Sequence, residues 1–145
     1  MKYIVENATN DDIDFLIESK LYSIFNYANN LSNDEMEKIN NYVFCHVHDA
    51  VNNYKIVKRN DKKIGCYLVA LKDDGVILDE IYLLDDYRNK GIGSSIIKNI
   101  LENNRIVYLW VYKENKKAFS LYKKLGFEIC EETNTRYYMK YSNLV

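Results

Sequence analysis

The chain has 145 residues, a formal net charge of −1, 48% hydrophobic and 14% aromatic residues, three cysteines and no proline. A chain of this length usually forms one domain, so we expect a single domain over residues 1–145. Three unevenly spaced cysteines cannot form a disulfide framework, and the first residues lack the apolar run of a signal peptide, which predicts a reduced, cytoplasmic protein. No stretch approaches the ~20 apolar residues that cross a bilayer, and the near-neutral charge disfavours nucleic-acid binding.

Periodic apolar residues, separated by Asn, Asp and Gly, mark the elements of the first half of the chain. In chain order they predict a strand at 2–6, a helix from the Thr9 N-cap to the Asn29-Asn30 break, a helix after the Ser32–Glu35 capping box, and strands at 54–59, 64–71 and 76–84. The three strands form an antiparallel meander, because each connection between them is a short polar turn.

The second half predicts two helices and three strands. A polar segment from Asp85 to Gly93 leads into isoleucines at helical spacing, and the strand at 106–112 is apolar nearly throughout, as expected of a strand covered on both faces. A helix around 118–125 then ends at Gly126, which suits a left-handed cap, and a hairpin of strands at 127–131 and 135–141 follows. The order β-α-α-β-β-β-α-β-α-β-β predicts an α+β fold.

The segment from Leu83 to Ser95 is the most informative part of the sequence, because a buried strand runs into glycines that open a helix. Such a turn points unpaired amides and the positive end of the helix dipole at one spot. Arg88 and Lys90 add positive charge beside it, so the segment predicts a site for phosphate or pyrophosphate. The spacing fits neither a dinucleotide-binding fingerprint nor a P-loop.

Two motifs taken together identify a family. Arg88-x-x-Gly91-x-Gly93 opens a helix, and Asn115-x-x-Ala118-x-x-x-Tyr122-x-x-x-Gly126-Phe127 follows the next strand. This pair resembles the GNAT superfamily of acyl-CoA-dependent N-acetyltransferases. The resemblance implies a mixed, mostly antiparallel sheet of about seven strands with about four helices, and acetyl-CoA as the co-substrate.

The resemblance also implies roles for individual residues. The amides of the loop would hold the pyrophosphate of coenzyme A, Leu83 would donate its backbone N–H to the acetyl carbonyl oxygen, and Tyr122 would protonate the departing thiolate. The implied cofactor-binding residues are Leu83, Leu84, Arg88, Asn89, Lys90, Gly91, Ile92, Gly93, Ser94, Asn115 and Tyr122.

Deprotonation of the acceptor amine needs a base or a water chain. Asp79 is the first candidate, since it shares a strand face with Ile81 and Leu83, and Glu80 replaces it if a bulge shifts the register. An ion-paired or solvated carboxylate is the alternative interpretation of both residues. Tyr122 likewise has a second interpretation as a core aromatic residue, in a chain with fourteen tyrosines.

The remaining cysteines and histidines carry weaker signals. Cys66 and Cys130 lie in strand patterns and are expected to be small core residues. The cluster Cys45-His46-Val47-His48-Asp49 places two histidines on different sides of a helix, and no second pair of metal ligands follows, so no metal site is expected. His46 or His48 could instead line the acceptor pocket.

The leading hypothesis is an N-acetyltransferase that moves an acetyl group from acetyl-CoA to a primary amine of a small molecule or peptide, by direct attack in a ternary complex. A non-catalytic acyl-CoA-binding module is the main alternative. A nucleic-acid-directed toxin or RNA modifier would need a basic face, which the net charge does not favour. The expected partners are acetyl-CoA and an amine acceptor, with a homodimer as a further possibility and no membrane.

Overall fold

Strands and helices follow each other in the predicted order in a computed structural model, which describes residues 2–143. The strands are β1 (Ile4–Asn7), β2 (Tyr54–Arg59), β3 (Lys62–Lys72), β4 (Gly75–Leu83), β5 (Ile106–Tyr112), β6 (Glu128–Glu132) and β7 (Arg136–Ser142). The helices are α1 (Ile13–Tyr27), α2 (Asn33–Ala50), α3 (Ile92–Asn103) and α4 (Lys116–Lys124). Short 3₁₀ turns at Asn10–Asp12, Val51–Asn53 and Asp85–Tyr87 were not expected from the sequence.

The strands form a seven-stranded mixed sheet in the order β1-β2-β3-β4-β5-β7-β6, which confirms the predicted fold class. β4 and β5 pair in parallel at Val76–Leu78 and Val107–Leu109, whereas β1 with β2, β2 with β3, β5 with β7 and β6 with β7 pair antiparallel. The parallel pair requires a crossover, and α3 supplies it.

The chain divides into two compact units, which are described separately below. The N-terminal unit comprises Lys2–Leu68 and Glu80–Asp86. The C-terminal unit comprises Val69–Asp79 and the described residues from Tyr87 onward. None of the described helices is long and apolar enough to cross a membrane.

Two capping boxes start the helical part of the N-terminal unit. Thr9 and Asp12 exchange side-chain and backbone hydrogen bonds ahead of α1, and Ser32 and Glu35 do the same at the start of α2. The Ser32 box is the one that the sequence predicts. Helix α1 contributes Leu16 to the core, and the surrounding buried residues come from α2 and strands β2 and β3: Val43, Val47, Tyr54, Ile56, Cys66 and Leu68.

Strand β5 in the C-terminal unit differs from its prediction. Val107, Leu109 and Val111 are buried, but the residues between them are only half-buried, so one face lacks the complete cover that an apolar strand predicts. Long cationic side chains lie over the aromatic rings of that face: the guanidinium of Arg136 is 4.5 Å from the Trp110 ring centre. The aliphatic stems of lysine and arginine side chains shield part of an aromatic surface while their charged ends stay in water.

Candidate functional site

The loop between β4 and α3 has the backbone conformation that the glycine motif predicts. Asn89 (φ 60°) and Gly91 (φ 85°) are both left-handed, and Gly91 is the N-cap of α3. A residue with a side chain is strained in this conformation, whereas glycine is not. Gly91 therefore allows the chain to turn directly from the loop into the helix.

The start of α3 presents a set of backbone amides. The Ser95 amide donates to the Gly91 carbonyl at 3.0 Å, and the amides of Ile92, Gly93 and Ser94 precede it in the first helical turn. Gly91 has no side chain to cap them, and a Cβ atom built on it would meet no other described residue within 4 Å, its chain neighbours aside. The space beside this N-cap is therefore open, and the amides of the first turn can bind an anion.

Asn115 lies at the same end of the C-terminal unit. Because β4 and β5 are parallel, α3 runs back along the sheet, and its N-terminus lies at the end where β5 stops. Asn115 follows β5 and is the N-cap of α4, where its Oδ1 accepts a hydrogen bond from the Ala118 amide at 3.2 Å. The structure thus gives Asn115 a helix-capping role, and its predicted contact with the cofactor stays a prediction.

Tyr122 lies on α4 and is 7% exposed. Its ring packs against Phe127, with 5.7 Å between ring centres and 59° between ring planes. Gly126 ends this helix with a left-handed φ of 104°, as predicted. Tyr122 is therefore also a core aromatic residue, and the general-acid role remains a prediction beside that structural one.

The end of β4 belongs to the N-terminal unit. The Leu84 amide donates to the Ile64 carbonyl on β3 at 2.8 Å. Successive amides of a strand point to opposite edges, so the Leu83 N–H points to the edge of β4 away from β3. The donor role of Leu83 stays a prediction.

Glu80 is the centre of a buried polar cluster within the N-terminal unit. Its Oε2 accepts a hydrogen bond from the Tyr54 hydroxyl and lies 3.0 Å from Lys20 Nζ. His46 Nε2 is 3.7 Å away, buried, and without a hydrogen-bond partner among the described residues. Burial by itself would raise the pKa of the Glu80 carboxyl, but the His46 imidazole, the Lys20 charge and the Tyr54 hydroxyl together hold that pKa below its usual value.

The two carboxylates considered as the base differ in exposure. Asp79 is exposed, whereas the side chain of Glu80 is 16% exposed and ion-paired. A carboxylate that is already paired and stabilised in its charged form is a weak proton acceptor. Of the two, Asp79 remains the better candidate.

Three residues near the end of β4 were not predicted as part of this region, although the sequence pattern around each of them indicates it. Lys20 lies at helical spacing between Ile17 and Ile24, on the apolar face of α1. Tyr54 lies two residues before the buried Ile56 on β2 and therefore on the same face of that strand. Gly65 is an isolated glycine in a strand pattern, which suggests a close backbone approach.

The expectation for Cys130 was wrong, and that for Cys66 was correct. Cys66 is buried, and its burial, followed by the nearby Glu80 charge, raises the pKa of its thiol to about 12. Cys130 is exposed because it lies on β6, the last strand in the sheet order, whose five residues are all exposed. The strand pattern around Cys130 identifies a strand but not whether a second layer covers it.

The two histidines of α2 have different surroundings, as their spacing predicts. His46 stacks on Tyr42 and faces Glu80, whereas His48 is exposed and its Nδ1 lies 2.8 Å from the Phe44 carbonyl oxygen.

Comparisons with known proteins agree with this geometry. Residues 47–129, more than half of the chain, match the family described as Acetyltransferase (GNAT) domain. An uncharacterised N-acetyltransferase of Methanocaldococcus jannaschii is 45% identical over 56 residues, which cover 35% of this chain and 25% of that protein. The thialysine N-epsilon-acetyltransferase of Bos taurus is 40% identical over 60 residues, covering 38% of this chain and 35% of that protein.

Among solved structures, the PaiA N-acetyltransferase from Thermoplasma acidophilum in complex with coenzyme A superposes with a TM-score of 0.77 at 18% identity, covering 99% of this chain and 100% of that chain. This likeness concerns the fold. The two sequence relatives named above match this chain over 25% and 35% of their own length.

Proposed function

The chain belongs to the GNAT acetyltransferase domain family, and on that basis we propose that it is an N-acetyltransferase that moves an acetyl group from acetyl-CoA to a primary amine. The observation that carries the proposal is the uncapped amide set at the start of α3, the helix that follows β4 in the chain and begins inside the matched segment. Both relatives described above are named N-acetyltransferases.

Coenzyme A would bind through backbone groups more than through side chains. In this proposal the amides from Arg88 to Ser94 hold the pyrophosphate, and Arg88 and Lys90 supply positive charge beside it. Leu83 and Leu84 contact the pantetheine and the thioester, and Asn115 and Tyr122 lie near the sulfur. The coenzyme A in the PaiA structure supports this assignment by analogy of fold.

The reaction requires a neutral amine, a stabilised oxyanion and a proton for the leaving thiolate. Keeping an amine of pKa about 10 neutral at pH 7 costs roughly 4 kcal/mol, so Asp79, directly or through water, takes the amine proton. The nitrogen attacks the thioester carbonyl, and the Leu83 N–H stabilises the oxyanion, a contribution worth about 3 kcal/mol. The C–S bond then breaks, and Tyr122 protonates the thiolate. No covalent enzyme intermediate is needed.

The acceptor is proposed as a primary amine of a small molecule or a peptide. The relative from Bos taurus acts, by its name, on the epsilon amine of thialysine, which supports an aliphatic amine as acceptor. The N-terminal unit carries tyrosines and a histidine near Glu80, and these side chains would contribute to acceptor selection.

A test of the proposal measures release of free thiol from acetyl-CoA with a panel of amino acids, polyamines, aminoglycosides and peptides. Turnover with at least one amine supports the enzyme. Binding of coenzyme A without turnover of any amine would support the non-catalytic acyl-CoA-binding module instead.

Location and assembly are further parts of the proposal. Three free cysteines among the described residues fit a reducing compartment such as the cytoplasm. The exposed strand β6 at the edge of the sheet order fits a homodimer formed through the terminal strands. Light scattering after size-exclusion chromatography decides between monomer and dimer.

A further inference from the structure

Gly65 of β3 lies against the backbone of the end of β4. A Cβ atom on Gly65 would be 2.3 Å from the Tyr82 carbonyl oxygen, 2.7 Å from Leu83 Cδ2 and 3.3 Å from Leu83 Cα. Distances below 3.0 Å from a backbone atom cannot be relieved by rotating a side chain. Any larger residue at position 65 must therefore displace the backbone of one strand.

Neither strand can move freely away from this contact. On its other edge, Gly65 is paired with Val57 of β2, next to a bulge between Val57 and Lys58. On β4, the Leu84 amide is bonded to the Ile64 carbonyl, and the Glu80 side chain is held by Tyr54 and Lys20. A Cβ at position 65 would consequently shift Tyr82 and Leu83 themselves.

We propose that Gly65 is a positioning residue for the Leu83 amide. By allowing β3 to approach within backbone contact, it sets where the Leu83 N–H points on the opposite edge of β4. This inference rests on the proposed acetyltransferase function, in which that N–H binds the carbonyl oxygen of the acetyl group. An oxyanion donor must be aimed to within a fraction of an ångström, because it acts through its alignment.

The chain offers a matched control at Gly75. A Cβ on Gly75 would also lie 2.3 Å from a backbone oxygen, that of Ile106, and 2.8 Å from Ile106 Cβ. Gly75 belongs to the start of β4 and has no role in the proposed site. Gly65→Ala and Gly75→Ala should both lower the melting temperature. Only Gly65→Ala should also weaken the contact between the Leu83 N–H and the carbonyl oxygen of the acetyl group.

The experiment has a kinetic and a spectroscopic part. With an amine that the wild-type protein acetylates, kcat of Gly65→Ala should fall about 10²-fold while KM for acetyl-CoA stays close to the wild-type value. Gly75→Ala should retain most of its kcat. In protein labelled with ¹⁵N-leucine, the Leu83 cross-peak, assigned from its loss in Leu83→Met, should show a response to acetyl-CoA beyond the response that CoA produces. This response should disappear in Gly65→Ala and persist in Gly75→Ala.

The outcomes separate the inference from the proposed function. Failure of acetyl-CoA to bind wild-type protein would overturn both. Binding with the same Leu83 response in both alanine variants would overturn the role of Gly65 alone, and this holds even if no acceptor is turned over. If Gly65→Ala does not fold while Gly75→Ala does, Gly65 is a folding residue and the positioning role is wrong.

Discussion

At the scale of single residues, Tyr122 combines a position in the core with a proposed proton transfer. The two roles make different demands, because packing depends on the ring whereas protonation of a thiolate depends on the hydroxyl. Tyr122→Phe retains the ring and its contact with Phe127. We expect kcat to fall about 10²-fold, with little change in the affinity for coenzyme A.

Tyr141→Phe is the matched control for this variant. Tyr141 is half-buried and packs on the same Phe127, with 5.8 Å between ring centres. Steady-state kinetics and thermal unfolding of both variants test the assignment. An activity loss in Tyr122→Phe that merely follows its loss of thermal stability, to the degree seen in Tyr141→Phe, would make Tyr122 a core residue only.

Asn115 is a second residue with a structural and a proposed functional role, and these can be separated by a pair of substitutions. Asn115→Ala removes the acceptor for the Ala118 amide and should lower the free energy of unfolding by about 1 kcal/mol. Asn115→Asp keeps an equivalent cap but replaces the side-chain amide donor by a carboxylate. We expect both variants to bind coenzyme A more weakly, measured by calorimetry.

Only the alanine variant should lose stability in urea unfolding. If Asn115→Asp binds coenzyme A like the wild-type protein, then the motif asparagine acts through the start of α4 alone.

At the scale of secondary-structure elements, Glu80 joins β4 to α1, α2 and β2 through Lys20, His46 and Tyr54. Glu80→Gln leaves the Lys20 ammonium without its carboxylate partner, and we expect a loss of roughly 3 kcal/mol in the free energy of unfolding. The double variant Glu80→Gln/Lys20→Met removes both charges and should recover part of this loss.

The effect of Glu80→Gln on the free energy of unfolding should also depend on pH. The folded-state pKa of Glu80 is lowered, so the ionised carboxylate stabilises the folded protein above the unfolded-state pKa of about 4.3. That contribution is lost as the pH falls through the lower folded-state pKa. The stability difference between wild type and Glu80→Gln should therefore be constant at neutral pH and shrink on acidification.

Comparing the two proteins at each pH cancels the contribution of Asp12. Burial by itself would raise the pKa of Asp12, but Lys63, the Thr9 backbone and Lys58 together lower that pKa. Urea unfolding between pH 3 and pH 8 measures the difference. A difference that does not change with pH would mean that folding leaves the pKa of Glu80 unshifted.

The element order, the helix caps and the conformation of the glycine-containing loop between β4 and α3 could be predicted from the sequence, because local spacing determines them. Ser32 and Glu35 are three residues apart, and Gly91 opens the helix that it caps. The Glu80 cluster could not be predicted, since Tyr54 and Glu80 are 26 residues apart and meet only when the sheet forms. Cys130 was misjudged for the same reason, because a strand pattern does not show which strand lies at the edge.

At the scale of the whole molecule, cofactor binding and stability are linked. A ligand that binds only the folded state at 100 times its Kd stabilises it by about 2.7 kcal/mol, which for a chain of this size raises the melting temperature by roughly 10 °C. We expect this shift with coenzyme A and little shift with pantetheine, which lacks the pyrophosphate. Scanning calorimetry with each ligand measures both effects.

Gly91→Ala should abolish most of the shift that coenzyme A produces. The substitution strains a left-handed residue, at a cost of about 1 kcal/mol, and puts a methyl group into open space at the N-cap of α3. Gly126→Ala controls for the strain alone, because Gly126 is also left-handed and its Cβ would lie 3.5 Å from the Tyr141 ring. Both variants should melt earlier without ligand, and Gly126→Ala should keep the full response to coenzyme A. Equal responses to coenzyme A in the two variants would show that the pyrophosphate does not bind at the N-terminus of α3.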